Sequence, residues 1–276
     1  MSPITLSEII IYPIKSLGGI SVDSALIEPR GLKYDRRWML TDQAGKFVSQ
    51  REYPQLALLS VAFTADGLSV SGPDRPPLLI PFHLHASQSV LVAIWNDETE
   101  AYPVDDVANI WFSDYIGESL SLVVMPDHTH RPIRHSYFPG DTVSFADGYP
   151  MLLIGESSLD DLNSRLDIPL PMNRFRPNLV TRGNEAYSED NWAEIKIGNE
   201  HVHGVSNCSR CAMTTINQET AERGVEPIKT LAEYRNVGKK VIFGRNLIPA
   251  DIGWIHVGDE VEIVSFDAAD ASENEF

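Results

Sequence analysis

Cysteine is nearly absent: the 276 residues hold two, Cys208 and Cys211, both inside "HVHGVSNCSRCAMTT". A disulfide-built fold is excluded, and a chain that is 43% apolar can bury a core without one. Basic residues are scarce, 22 Lys and Arg against 39 Asp and Glu, for a net charge of -17. That balance argues against a general binder of nucleic acid or of an anionic membrane, because phosphate backbones need a basic face. No apolar run approaches the length of a membrane span, and no charged start leads into an apolar segment, the first basic residue being Lys15. We therefore expect a cytoplasmic protein with neither a nucleic-acid nor a membrane partner. A glycine-rich phosphate fingerprint and a βαβα rhythm are also missing, which removes dinucleotide-binding dehydrogenases and P-loop enzymes.

What is present is a series of short apolar, β-branched segments joined by tight turns. "SEIIIYPIKS" reads as a strand, with Pro13 at an end, an edge or a bulge. "RRWMLTDQAGKFVSQ" predicts a hairpin turning at Asp42–Gly45, "LSVAFTADGLSVSG" one turning at Asp66–Gly67, and "VLVAIWNDETEAYPV" a third. Val107, Ile110, Trp111 and Tyr115 recur at helical spacing up to Gly117, which predicts a helix whose aromatics belong to the core. "SSLDDLNSRL" predicts a short helix with a Ser/Asp capping-box start, and "IKTLAEYR" another helix. "LSLVVMP", "RFRPNLVTRG", "WAEIKIGN" and "EHVHGVSN" read as strands, and "GWIHVGDEVEIV" as a closing strand pair. The expected class is mainly β (α+β), with two β regions, a few short helices and a boundary near Pro126. The acidic tail, 267–276, carries too few large apolar residues to fold on its own.

Two stretches invite chemistry. From His128 to Gly140 no acidic residue occurs, while His128, His130, Arg131, Arg134 and His135 do. This is either a solvated loop or part of an anion pocket. The cysteine pair has several readings. His201 and His203 alternate along a strand, and with Cys208 and Cys211 they make a candidate Cys2His2 zinc set. C-x-x-C is also a dithiol redox spacing, although its usual setting is the start of a helix. A third reading is one soft-metal thiolate, with Arg210 beside Cys211 as the cation that favours it. Two buried structural thiols are the fourth.

Seven motifs together carry a resemblance: "YPIKSLGG", "GLKYDRRWMLTD", "SFADGYP", "FRPNLV", "CSRCAMTT", "FGRNLIP" and "IHVGDEVEIV". In this order, over nearly all of residues 1–266, they resemble a MOSC-domain protein with its N-terminal MOSC β-barrel domain. The sequence is similar to bacterial reductases of N-hydroxylated compounds and to the mitochondrial amidoxime-reducing component. The resemblance implies two β-barrel-like regions, a MOSC N-terminal domain over 1–125 and a MOSC domain over 126–266. It implies molybdenum held by molybdopterin, with Cys211 as metal ligand and catalytic residue. Lys15, Ser16, Arg36, Arg176, Asn178, Ser209 and Arg210 match the positions that hold the pterin and its phosphate. The implied activity is reduction of an N–O bond in a small N-hydroxylated substrate. No further cysteines are available for an iron–sulfur cluster, so electrons are expected from a separate donor protein. The alternative within the family is a sulfur-carrier or cofactor-binding protein using a persulfide on Cys211. Gly148, Tyr149 and Asn246 depart from the mitochondrial pattern, and side-chain contacts at those three positions are not carried over.

Overall fold

The computed structural model describes residues 3–82, 88–134 and 140–267. Among these residues the chain forms nineteen strands and three α-helices, the mainly β class expected. The largest sheet runs Val261–Phe266, Trp192–Ile197, Glu200–Ser209, Lys240–Pro249, Met151–Gly155, Leu179–Arg182, Thr5–Ile11 and Ile20–Val22. Thr5 lies opposite Arg182 and Ile9 opposite Leu179, so the first strand of the chain completes a sheet built mostly after residue 150. One pair in it is parallel, Met151–Gly155 beside Leu179–Arg182. A parallel neighbour needs a crossover of a dozen or more residues. The helix Glu156–Asn163 and the loop running on to Asn178 supply it.

A four-stranded sheet orders Trp38–Thr41, Ser121–Val124, Asp97–Pro103 and Val90–Ile94, and a three-stranded one orders Ser60–Phe63, Gly67–Ser71 and Leu78–Pro81. Ile14, Leu17, Trp38, Leu56, Phe112 and Leu122 fill one core between these elements. Leu6, Ile9, Ile27, Trp192, Ile195 and Leu247 fill a second core on the large sheet. Each fully buried aromatic or aliphatic side chain contributes about 1.5–3 kcal/mol. Tyr34 and Phe63 pack against both cores, which ties the two halves together.

Several local expectations need correction. The helix Asp106–Ile116 forms, capped by Asp105, whose side chain accepts from Ala108 N at 2.7 Å, and closed by Gly117 at φ 84°. Its buried face is Ala108 and Phe112, however, while Val107 and Ile110 are 69% and 61% exposed. The stripe is rotated toward the i, i+4 pair that meets the first core, with Trp111 and Tyr115 partly buried at its edge. The Glu156–Asn163 helix has no side-chain cap; Ser158 lies inside it and donates to Glu189 Oε1 at 2.6 Å. The strands of "GWIHVGDEVEIV" do not pair with each other: Gly253–His256 pairs with Ser24–Glu28, and Val261–Phe266 with Trp192–Ile197. In "RFRPNLVTRG" the strand starts only at Leu179; Arg174 ends a 3-10 turn, Met172–Arg174, and Phe175–Asn178 are irregular. His135 and the tail beyond Asp267 lie outside the described residues. Asp267 itself accepts from Arg245 Nη2 at 2.7 Å.

Candidate functional site

Three irregular segments converge at one end of the large sheet. The loop after Thr5–Ile11 carries Lys15 and Ser16, and the turn before Trp38–Thr41 carries Arg36. The segment before Leu179–Arg182 carries Arg174, Arg176 and Asn178. Glu200–Ser209 delivers Cys208 and Ser209, and Cys211 follows at the start of a short 3-10 turn, Ala212–Thr215. All eight residues singled out by the resemblance line one cavity of about 310 Å³. Gly148, Tyr149 and Asn246 line it too.

Three of those residues sit in backbone conformations that are uncommon outside glycine: Ser16 at φ 71°, Arg36 at φ 48° and Arg176 at φ 56°. Arg176 precedes Pro177, where an extended φ is the ordinary choice. Such conformations persist only where the surroundings over-determine them, and they gather at sites that need side chains aimed in advance. The supports are visible. Asp35 is fully buried and accepts from Arg36 Nη1 at 2.7 Å, from Tyr12 N at 2.9 Å and from Asn178 Nδ2 at 2.9 Å. Asn178 also donates to Ile10 O at 3.1 Å and accepts from Arg36 Nη1 at 3.0 Å and Leu152 N at 3.3 Å. With both N–H groups and its oxygen occupied, Asn178 is a strut that holds Arg36. Burial pushes Asp35 up, and its bond to Arg36 pulls it back.

The lining holds one lysine, five arginines and one carboxylate, in a chain of net charge -17. Arg36 and Arg176 stack on Tyr12, each 4.3 Å from the ring centroid. The Arg176 guanidinium is buried and makes no hydrogen bond among the described residues; burial pushes it down to about 10. Arg210 donates to Phe175 O at 2.6 Å, while its Nε is buried without a partner. A buried cation or donor left short of acceptors is costly unless something else supplies them. Lys15 Nζ lies 2.7 Å from Phe145 O and 2.5 Å from Asp147 Oδ1. Burial lowers Lys15. Burial alone would raise Asp147, but Lys15 and Arg51 override it and hold the carboxyl well below its usual range.

The two cysteines part company. Cys208 is partly buried against the cluster of Phe175 and Phe243, and Arg210 Nη1 lies 3.0 Å from its sulfur. Cys211 is exposed, and its neighbour is Arg51, with Nη1 3.6 Å from Sγ. The cation beside Cys211 is thus not Arg210 but a residue 160 positions away. Nothing in the sequence marks Arg51. Arg174, two residues from Arg176, and Asp147, inside "SFADGYP", adjoin the motif residues, and that proximity is the one signal in the sequence that points to them. The zinc set does not assemble: His201 and Cys208 are seven residues apart on one strand, on the order of 20 Å, and His201 Nδ1 sits 2.8 Å from Glu194 Oε1. Among the described residues of the basic segment none lines the cavity, although Arg131 donates to the backbone of Asp147 from behind. Arg131 and Arg134 both pair with Asp97, and His128 lies 3.5 Å from Glu100.

The fold and this cavity place the chain in a class. It belongs to the MOSC-domain proteins, with the MOSC N-terminal beta barrel domain matching residues 3–119 and the MOSC domain residues 140–262. Among its relatives is mitochondrial amidoxime-reducing component 1, 33% identical in Mus musculus and 32% in Homo sapiens. Those matches cover 94% of this chain and 82% and 83% of the respective relatives. Molybdenum cofactor sulfurase of Oryza sativa subsp. japonica is 34% identical over 95% of this chain, which spans 36% of that longer protein. Among the described residues no helix is long and apolar enough to cross a membrane.

Proposed function

We propose that this chain is a molybdenum-cofactor oxidoreductase, acting in the cytoplasm, that reduces small N-hydroxylated compounds with electrons from a separate donor protein. The carrying observation is the cavity itself: a cationic pocket where, among the described residues, the buried Arg176 guanidinium and Arg210 Nε have no hydrogen-bond acceptor, beside an exposed thiol, Cys211. That set fits molybdopterin, whose phosphate needs charged donors and whose metal takes a soft sulfur ligand. Arg176, Arg36, Arg210, Lys15, Ser16 and Ser209 would hold the pterin and phosphate, and Cys211 the metal. Bound there, the cofactor would supply the two-electron chemistry, for a net R–NHOH plus two electrons and two protons giving R–NH2 and water.

The chain's own residues do the rest. Asn178 and Asp35 keep Arg36 aimed before anything binds. Lys15 keeps the proton of its pair on Nζ, leaving Asp147 a carboxylate that can accept from an N–OH or N–H group. Cys208 is turned toward Phe175 and Phe243 and supports the wall.

The test is the full chain produced in a host that makes molybdenum cofactor. It should contain molybdenum, release a fluorescent oxidised pterin and reduce amidoximes with reduced viologen. It should need a partner protein to use NAD(P)H. Stoichiometric zinc without pterin, or efficient turnover with NAD(P)H alone, would overturn the reading. The likeness to molybdenum cofactor sulfurase favours a second reading, a persulfide carrier on Cys211. A sulfane sulfur on Cys211 in pterin-free protein would support it.

A further inference from the structure

The tip of the hairpin Val90–Ile94/Asp97–Pro103 holds an indole in an unusual place. Trp95 is 54% exposed and sits at φ 56°, a conformation disfavoured for a bulky side chain. It is nevertheless held: Nε1 donates to Asp147 Oδ1 at 3.1 Å, and the Phe47 ring packs at 5.0 Å. The Arg51 guanidinium lies 4.5 Å from the indole centroid. From there Arg51 reaches inward to Cys211 Sγ at 3.6 Å and Asp147 Oδ2 at 4.0 Å. A stacked layer therefore runs from solvent to the cavity thiol.

Holding an anion does not require this layer. An indole face offers a phosphate nothing, and Asp147 beside Arg51 would oppose one. Core packing does not require it either, since the fold leaves half the indole in water at a strained φ. An open aromatic surface backed by a guanidinium is a platform for another flat π system.

We propose that Trp95, with Arg51 behind it, is a specificity-determining residue that stacks the flat conjugated part of an N-hydroxylated substrate and directs its N–OH group toward Cys211. The preference this confers is for flat, conjugated substrates over aliphatic ones of the same reaction. This rests on the oxidoreductase reading above.

The experiment compares N-hydroxybenzamidine with N-hydroxyacetamidine on the cofactor-loaded full chain, wild type, Trp95→Leu and Trp95→Phe, with reduced viologen as donor. Loss of the stack should raise KM for the aromatic substrate about 5- to 10-fold in Trp95→Leu, with kcat within about twofold and the aliphatic KM nearly unmoved. Trp95→Phe keeps a ring but not the bond to Asp147, so it should retain most of the aromatic preference. Equal losses for both substrates, or Phe as damaging as Leu, would make Trp95 a support for Asp147 and overturn the proposal. So would no change at all. Calorimetric titration of the same proteins without reductant separates the two levels. Trp95-dependent preference for the aromatic compound without turnover by wild type would sink the reductase reading and keep the platform. Turnover without preference would do the reverse.

Discussion

At Asp97, two arginines close on one carboxylate. Arg131 is buried, bonds Asp97 Oδ2 at 2.8 Å and donates to Ser144 O and Ala146 O at 2.8 and 2.7 Å, and Arg134 takes the other oxygen. At the cavity, five arginines and Lys15 share the lining with Asp147 as the one carboxylate, and the buried Arg176 guanidinium finds no hydrogen-bond acceptor among the described residues. Both regions are basic stretches in an acidic chain, and both were candidate anion sites by sequence. What separates them is satisfaction. Arginines whose donors are used up hold the fold, as Arg131 does by pinning the turn that ends in Asp147. Arginines kept in place but short of partners hold something that is not protein.

The sharpest break is expected at the cavity. Cys211→Ser should reduce N-hydroxy reductase activity to background and lower bound molybdenum, since a serine hydroxyl stays protonated at neutral pH. Cys208→Ala should keep most activity, with a stability cost of about 1 kcal/mol for its packing. Equal loss in both, with folded protein, would count against a single thiolate.

Next in size is the Asp97 cluster. Arg131→Ala leaves Asp97 with Arg134 alone and takes the donor from three backbone carbonyls, those of Ser144, Ala146 and Asp147, and should cost about 3–5 kcal/mol, a fall in Tm of about 6 °C or more. A stable Arg131→Ala protein would erase the distinction between the two regions.

Arg176→Met tests the other side. Removing a buried cation that lacks a hydrogen-bond acceptor among the described residues, while keeping an apolar chain against Tyr12, should stabilise the cofactor-free chain by about 1–2 kcal/mol. The same change should weaken cofactor retention about 10- to 100-fold. Thermal melts with and without cofactor read both signs, and a destabilised cofactor-free variant would show that Arg176 is structural.

The smallest effect is in acid. Burial alone would raise Asp97, but Arg131 and Arg134 hold it below the ordinary aspartate value near 3.8. A depressed folded value means stability that is present above the unfolded value and lost as pH falls through the folded one. Asp97→Asn should therefore differ in full from wild type above the unfolded value, with the gap closing as pH falls below it and through the lowered folded value. A gap that does not narrow would mean that Asp97 matters for shape more than charge.

Much of this was readable from residues in order. Period-two apolar runs and Asp–Gly or Gly turns mark hairpins because side-chain alternation and turn dihedrals are local properties. The cavity's cations were legible only through the resemblance, which rests on short motifs such as "YPIKSLGG", "FRPNLV" and "CSRCAMTT" taken together. Which face of Asp106–Ile116 is buried was not readable, because Val107 and Phe112 are equally apolar and only the first core decides between them. Strand partners were not readable either, since Gly253–His256 pairs with Ser24–Glu28 across most of the chain. Arg51 and Trp95 carry no local mark. Arg51 became a neighbour of Cys211, and Trp95 a neighbour of Arg51, only because the sheets close, and a contact between residues far apart in the chain is a product of packing, not of any segment's own preference.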